Sequence, residues 1–177
     1  MSRPGKRHAM AVLIAAVVSV SLAGCAQGGE SGSRHAPYDS LDSLARDSSV
    51  IVVGSVTDQG EELSGGSPPP SRISTVEVTN TPTNPSLGEN LDTGSGVVAV
   101  GDVIQVREDA GASLLQIDRE YLLFLTPSML PGGKAAQFFI TGGVAGAYQR
   151  DGEQFTRIVT GGGDDLPATI DIAGAQG

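Results

Sequence analysis

The chain of 177 residues carries 20 acidic against 11 basic side chains, a formal net charge of −9. An acidic surface of that size repels nucleic-acid phosphates and anionic lipid headgroups, so nucleic acid is excluded as a partner and so is adsorption to a membrane by overall charge. With no Trp, four Phe and three Tyr, a core has to be built from Val, Ile, Leu and Ala, and 25 glycines, well above the ~7% of ordinary proteins, predict many turns and bulges.

The first 24 residues are laid out as an export signal. Residues 2–8 hold Arg3, Lys6 and Arg7, and residues 9–22 form an apolar run interrupted by two serines. A permanent transmembrane helix takes ~20 apolar residues, and this run meets Gly24 and Cys25 too early for that. The segment contains three basic residues and no acid, so its removal leaves a chain still more acidic than the whole.

Leu22-Ala23-Gly24-Cys25 resembles the lipobox of bacterial lipoproteins: an aliphatic residue, two small ones, then cysteine. The resemblance implies that Leu22, Ala23 and Gly24 are recognised by a signal peptidase and that cleavage falls before Cys25. It also implies that the Cys25 sulfur takes a diacylglyceryl thioether, with acylation of the new amine left open. Such a chain is anchored by lipid on the extracytoplasmic face of the cell membrane, stably so because two or three acyl chains hold where one is marginal.

Residues 25–36 read as the anchor and a flexible tether, Gly/Ser-rich and without hydrophobic period, reaching on the order of 18 Å. His35, the last of the chain's two histidines, falls in it. Residues 38–48 place Tyr38, Leu41, Leu44 and Ala45 at helical spacing behind Asp39 or Ser40 as a cap. Residues 49–57 (SVIVVGSVT) are a β-branched strand with Val50, Val52 and Val56 on one face and Ile51 and Val53 on the other. Gly54 within it predicts a bulge or a close backbone approach.

Residues 58–71 read as a polar loop ending in three prolines, 72–79 as a strand with Val76 and Val78 on one face, and 80–96 as an irregular Thr/Pro loop. Residues 97–107 read as a strand bent at Gly101-Asp102. Residues 120–126 (EYLLFLT), the most hydrophobic run after the signal, read as a buried central strand, with Tyr121 half-buried and its hydroxyl at the rim. Strands at 137–141 and 154–160 follow, separated by glycines at 142–146 that permit a bulge or corner and by a turn at Asp151-Gly152. The Gly-rich acidic tail, 161–177, is expected to fray.

The pattern predicts an all-β domain over residues 37–160: a small antiparallel barrel, OB-like, open or sandwich-like, with one short N-terminal helix. The order of helix, VIVVGSV strand, VEV strand and DREYLLFL strand over residues 47–126 is similar to the netrin-like, OB-fold barrels of tissue inhibitors of metalloproteinases. The likeness implies the fold and not protease inhibition. The cysteines of that family's disulfides are missing, and its zinc-chelating N-terminal cysteine corresponds here to a lipidated residue on a tether.

Most catalytic chemistry is excluded by inventory. Beyond the signal segment the chain has one histidine and one cysteine, neither in the body of the domain, and these cannot supply a Ser-His-Asp or Cys-His site, a zinc site or a haem site. Gly132-Gly133-Lys134-Ala135 lacks the hydroxyl residue and the first glycine of a phosphate loop, and reads as a turn. Carboxylates remain: Asp58, Glu61 and Glu62 in one segment, Glu108 and Asp109 in another, Asp164 and Asp165 in a third, all expected to be solvated turn acids.

Neither a catalytic residue nor a cofactor nor a metal is called for. The sequence therefore predicts a non-catalytic, membrane-anchored module that binds an envelope protein or glycan. The alternatives are a glycan-acting hydrolase built on carboxylates alone and a purely structural envelope component.

Overall fold

The computed structural model describes residues 37–64, 67–82, 98–109, 112–160 and 163–172. The export segment, the lipobox with Cys25, the tether and nearly all of the 80–96 loop lie outside the described residues. One α-helix, α1 (Leu41–Asp47), precedes eight strands: β1 (Val50–Ser64), β2 (Ser67–Asn80), β3 (Val103–Glu108), β4 (Glu120–Pro127), β5 (Gln137–Ile140), β6 (Ala147–Asp151), β7 (Gln154–Arg157) and β8 (Thr169–Asp171).

The strands β1-β2-β3-β5-β4 pair in that order, and β4 returns to β1, closing a five-stranded OB-like barrel. All of its pairs are antiparallel except β3 with β5. The all-β barrel with one short helix is thus the architecture, and closure decides between the barrel and its open or sandwich-like variants. Closure leaves no free edge in the wall. β4 is central because both its edges are used. One edge pairs with β1 from Glu120 to Leu125, while the other is shared between β6 at Tyr121–Leu123 and β5 at Leu125–Pro127. A 3-10 turn, Gly143–Gly146, carries the chain between β5 and β6. Gly142 and Gly143 there take left-handed φ of 66° and 64°, and a Cβ on Gly146 would stand 2.6 Å from the Thr141 carbonyl oxygen. The corner read from this glycine cluster is the corner the chain turns.

Period-two alternation divides the apolar residues between two cores. Val52, Val56, Val76, Val78, Val106, Tyr121, Leu123 and Leu125 fill the barrel interior. Ile51, Val53, Leu122 and Phe124 point outward from β1 and β4 and are covered by Leu44 and Ala45 of α1 and by Tyr148, Phe155, Leu166 and Ile170. α1 begins where the sequence places it: Ser40 accepts from the Ser43 amide in a reciprocal capping box, and Tyr38, Leu41, Leu44 and Ala45 face the outer core. At Gly54 the β1–β2 register shifts, and a Cβ there would meet Val76 Cγ1 at 2.5 Å and the Glu77 carbonyl oxygen at 2.8 Å. Both the bulge and the close approach are real.

Several expectations are corrected. The polar loop at 58–71 is a β-arm, in which β1 and β2 stay paired from Asp58↔Thr75 to Ser64↔Ser67 beyond the end of the β1–β4 pairing. The proline run 68–70 sits where β2 has no β3 neighbour, so no third-strand hydrogen bond is lost. The strand at 97–107 contracts to Val103–Glu108, because residues 99–102 form a turn in which Ala99 donates to Asp102 Oδ2 at 2.8 Å and Gly101 donates to the Val78 carbonyl. β7 stops at Arg157 rather than running to Thr160.

Within the tail expected to fray, residues 163–172 are held: Leu166 and Ile170 enter the outer core, β8 pairs with β7, and the Asp165 amide donates to the Tyr38 carbonyl. Leu166, Ile170 and the partly buried Ile172 suffice for this despite the acids around them. Tyr121 is fully buried rather than half-buried, because residues 112–119 fold over the barrel end and the Gln116 amide donates to its hydroxyl at 3.0 Å; burial raises its pKa.

Tyr148, in the outer core against Phe124 at 6.2 Å between ring centroids, is pushed by burial from 10.0 up to about 12. The folded chain keeps a phenolic proton that the unfolded chain releases at lower pH. This stabilisation is intact below pH 10.0 and is lost as the pH rises toward about 12. Ultraviolet titration is expected to show the Tyr148 ionisation late and concurrent with unfolding followed by circular dichroism. A tyrosine signal complete well before unfolding would contradict the burial.

Candidate functional site

A cleft of about 430 Å3 opens where α1, the end of β4 and the end of β5 meet; Tyr38, Asp47, Asp109, Thr126, Ser128 and Phe139 are among its walls. Its parts come from five places in the chain. α1 ends at Asp47 because Ser48 is extended, its amide bonding back to the Ala45 carbonyl. Tyr38 is fixed by its own backbone, whose amide donates to Asp164 Oδ1 at 2.8 Å and whose carbonyl accepts from Asp165. Its ring lies against Gly142, where a Cβ would stand 2.4 Å from Tyr38 Cε2. Glycine at 142 is therefore needed for the ring's position as well as for the turn.

Thr126, Ser128 and Thr141 bring hydroxyl groups to the lining, with the buried Ser48 behind them. Ser48 Oγ donates to the Leu44 carbonyl at 2.7 Å and lies 3.0 Å from Thr141 Oγ1, which is 2.8 Å from Thr126 Oγ1. Thr126 also donates to the Asp47 carbonyl at 3.3 Å, and the Tyr38 hydroxyl donates to Asp47 Oδ2 at 3.2 Å. Met129 stands at the rim, 92% exposed with a left-handed φ of 50°, a conformation uncommon outside glycine. Among the described residues neither Lys nor Arg lines the cleft, so Asp47 and Asp109 leave it negative.

The remaining carboxylates are not the solvated acids expected at every position. Glu62, on the arm, pairs with Lys134 at 2.7 Å and with Arg107, whose side chain is 2% exposed. The Lys134 hydrogen bond, aided by the Arg107 charge, holds the Glu62 carboxyl below the usual range. Arg107 Nε also donates to Gln137 Oε1 at 2.9 Å. Glu108 is buried and accepts from the amides of Leu114 and Leu115, with Ser74 Oγ at 3.4 Å. Asp164 is the acceptor for Tyr38, while Asp58 and Glu61 are exposed on the arm. Lys134 lies in a 3-10 turn after Pro131, as the turn reading of this glycine pair requires.

No known family model matches the chain, and no curated protein is similar to it. Function rests on the geometry.

Of the carboxylates singled out in the sequence, Asp109 alone reaches the cleft. Cys25 and the lipobox lie outside the described residues. Asp47, Tyr38, Thr126, Ser128 and Phe139 carry no sequence signal of a site, because each is a common residue brought in by the fold. Among the described residues no three His, Cys, Asp or Glu side chains are grouped to hold a metal, and no helix is long and apolar enough to cross a membrane. The cleft offers hydroxyls, two carboxylates and two aromatic faces. That set suits a neutral, hydroxyl-rich ligand, whose O–H groups donate to carboxylates and whose C–H faces pack on rings.

Proposed function

We propose that the protein is a lipid-anchored, extracytoplasmic binding module that holds an envelope glycan in the cleft between α1 and the ends of β4 and β5. The observation that carries this reading is the cleft's donor and acceptor set, with Asp47, Asp109, Thr126 and Ser128 beside Tyr38 and Phe139 and no cation among them. The lipobox at Leu22-Ala23-Gly24-Cys25 supplies the location. A signal peptidase cleaves before Cys25, the sulfur carries diacylglyceryl, and the tether lets the domain search the nearby envelope. Glu62 and Glu108 are tied to cations and backbone amides and so serve the fold rather than chemistry.

The test has two parts. Cys25→Ser is expected to move the protein from the membrane fraction to the soluble one, and retention in the membrane would contradict the anchor. Soluble envelope glycan fragments are expected to bind saturably, with Asp47→Asn or Asp109→Asn weakening affinity about tenfold, the value of one hydrogen bond to a charged group. Equal affinity in both variants would remove the cleft from the reading.

A second reading is favoured by one observation: Asp47 and Asp109 line the same cleft, as a glycan hydrolase built on two carboxylates requires. It is distinguished by new reducing ends released from the same fragments and abolished in either variant.

A further inference from the structure

A second cleft, of about 360 Å3, shares no lining residue with the first and has the opposite charge. Arg119, Arg150 and Arg157 all line it, with Gln149, Thr156 and one acid, Asp151. Three of the chain's 11 basic residues meet here in a protein of net charge −9. Mutual repulsion of three guanidinium groups opposes such a gathering, which is a local feature of the β6–β7 hairpin and the turn before β4.

Two of the arginines are held rigidly. Arg150 is paired with Glu120, and its guanidinium lies 4.5 Å over the Phe155 ring. Arg157 is only 7% exposed, and its Nε and Nη1 find no hydrogen-bond partner. The Tyr148 hydroxyl lies near enough for Arg157 to favour its ionisation, yet it makes no hydrogen bond of proper geometry, and a neutral phenol would not balance a guanidinium in any case. A buried charge left without a counterion is costly. The economical explanation is that the counterion is a ligand.

We infer that this cleft is a phosphate site, taking a phosphate ester whose oxygens are bound by Arg119, Arg150 and Arg157 and by the side chains of Gln149 and Thr156. Guanidinium forks match phosphate oxygens in pairs. With Glu120 set against Arg150 and Asp151 at the margin, the cleft stays positive, which suits an ester of one or two negative charges. Its volume exceeds that of a bare phosphate ion and leaves room for the group the phosphate is attached to. The ester is either a soluble molecule or the headgroup of an anionic lipid, and both present the same chemistry to the three arginines.

The full chain bearing Cys25→Ser, so that no acyl anchor contributes, is titrated with glycerol phosphate by calorimetry in phosphate-free buffer, with acetate as control. Separately, it is sedimented with phosphatidylglycerol vesicles. Saturable glycerol phosphate binding is expected, with a rise in Tm, and Arg119→Gln is expected to weaken it at least tenfold. Arg157→Met is expected to melt no lower than the parent without ligand, since it removes an unbalanced buried charge, and to lose the ligand-induced rise. Vesicle binding displaced by glycerol phosphate assigns the site to a lipid headgroup, and binding of the ester without vesicle binding assigns it to a soluble phosphate. Absence of saturable binding in both arms, or binding unchanged by Arg119→Gln, overturns the inference. Because glycan binding is read separately and at other residues, its failure leaves this result standing.

Discussion

Phe124→Ala is expected to lower the free energy of unfolding by about 3–5 kcal/mol, the range for emptying a fully buried aromatic site. Phe124 has no exposed surface and lies on β4, which like β1 contributes to both the barrel and the outer layer. Its backbone pairs with Ile51, and its carbonyl accepts from the Thr141 amide at 2.8 Å. Its ring packs against Tyr148 with Leu44, Leu122 and Phe155 around it. The neighbouring backbone cannot collapse into the space, since strand pairing fixes β1 on one side and Gly146 already abuts the Phe124 carbonyl, with room for a Cβ only at 3.0 Å. Against a typical stability of ~5–15 kcal/mol, such a loss brings the domain near its unfolding threshold. Val103→Ala, on β3 of the same barrel but 65% exposed, is expected to shift stability by no more than about 0.5 kcal/mol. Urea denaturation of both variants reads the difference, and a Phe124→Ala cost below about 1 kcal/mol would mean that the outer layer does not pack as a core.

What was legible in the sequence is what alternation and local stereochemistry encode. Val52 and Val56 went to one core and Ile51 and Val53 to the other because a strand between two apolar layers alternates between them. Ser40 capped α1 and Gly54 marked a close approach for equally local reasons. The arm at 58–71 was illegible because none of its described side chains enters either apolar core, so it needs no apolar period, and its prolines are tolerated only because β2 lacks a third-strand neighbour there. The cleft was illegible for a different reason. Asp47 at the end of a helix and Asp109 at the end of a strand are ordinary until closure of β3 on β5 brings those ends together.

Closure also decides where ligands can go. The interior of the barrel is occupied by Val, Leu, Ile and Tyr side chains, and a five-stranded wall leaves no chamber beyond them. The proposed ligands would therefore lie outside the wall, at the seams where α1 and the β6–β7 hairpin are applied to it. The two clefts lie at these seams with opposite charge.

Glu108→Ala is expected to cost about 2–6 kcal/mol, since a buried and a half-buried amide lose their acceptor at ~1–3 kcal/mol each, and to weaken glycan binding at the same time. Glu108 and Asp109 are adjacent in sequence and opposite in role. Glu108 is 2% exposed and turns inward to accept from Leu114 and Leu115, fastening the segment that places Leu115 in the barrel core. Asp109 turns outward to the cleft. Without Glu108 the 112–115 segment loses its tie to the end of β3, and Asp109 loses the backbone that aims it. Glu108→Gln keeps one amide oxygen as acceptor and is expected to lose less than half as much stability. Thermal melting and glycan titration of the same three proteins separate the effects. If Glu108→Ala melts lower but binds as the parent does, the carboxylate serves the core alone and Asp109 is positioned by β3. If both fall together and Glu108→Gln restores both, one buried acid holds the barrel end and the cleft in register.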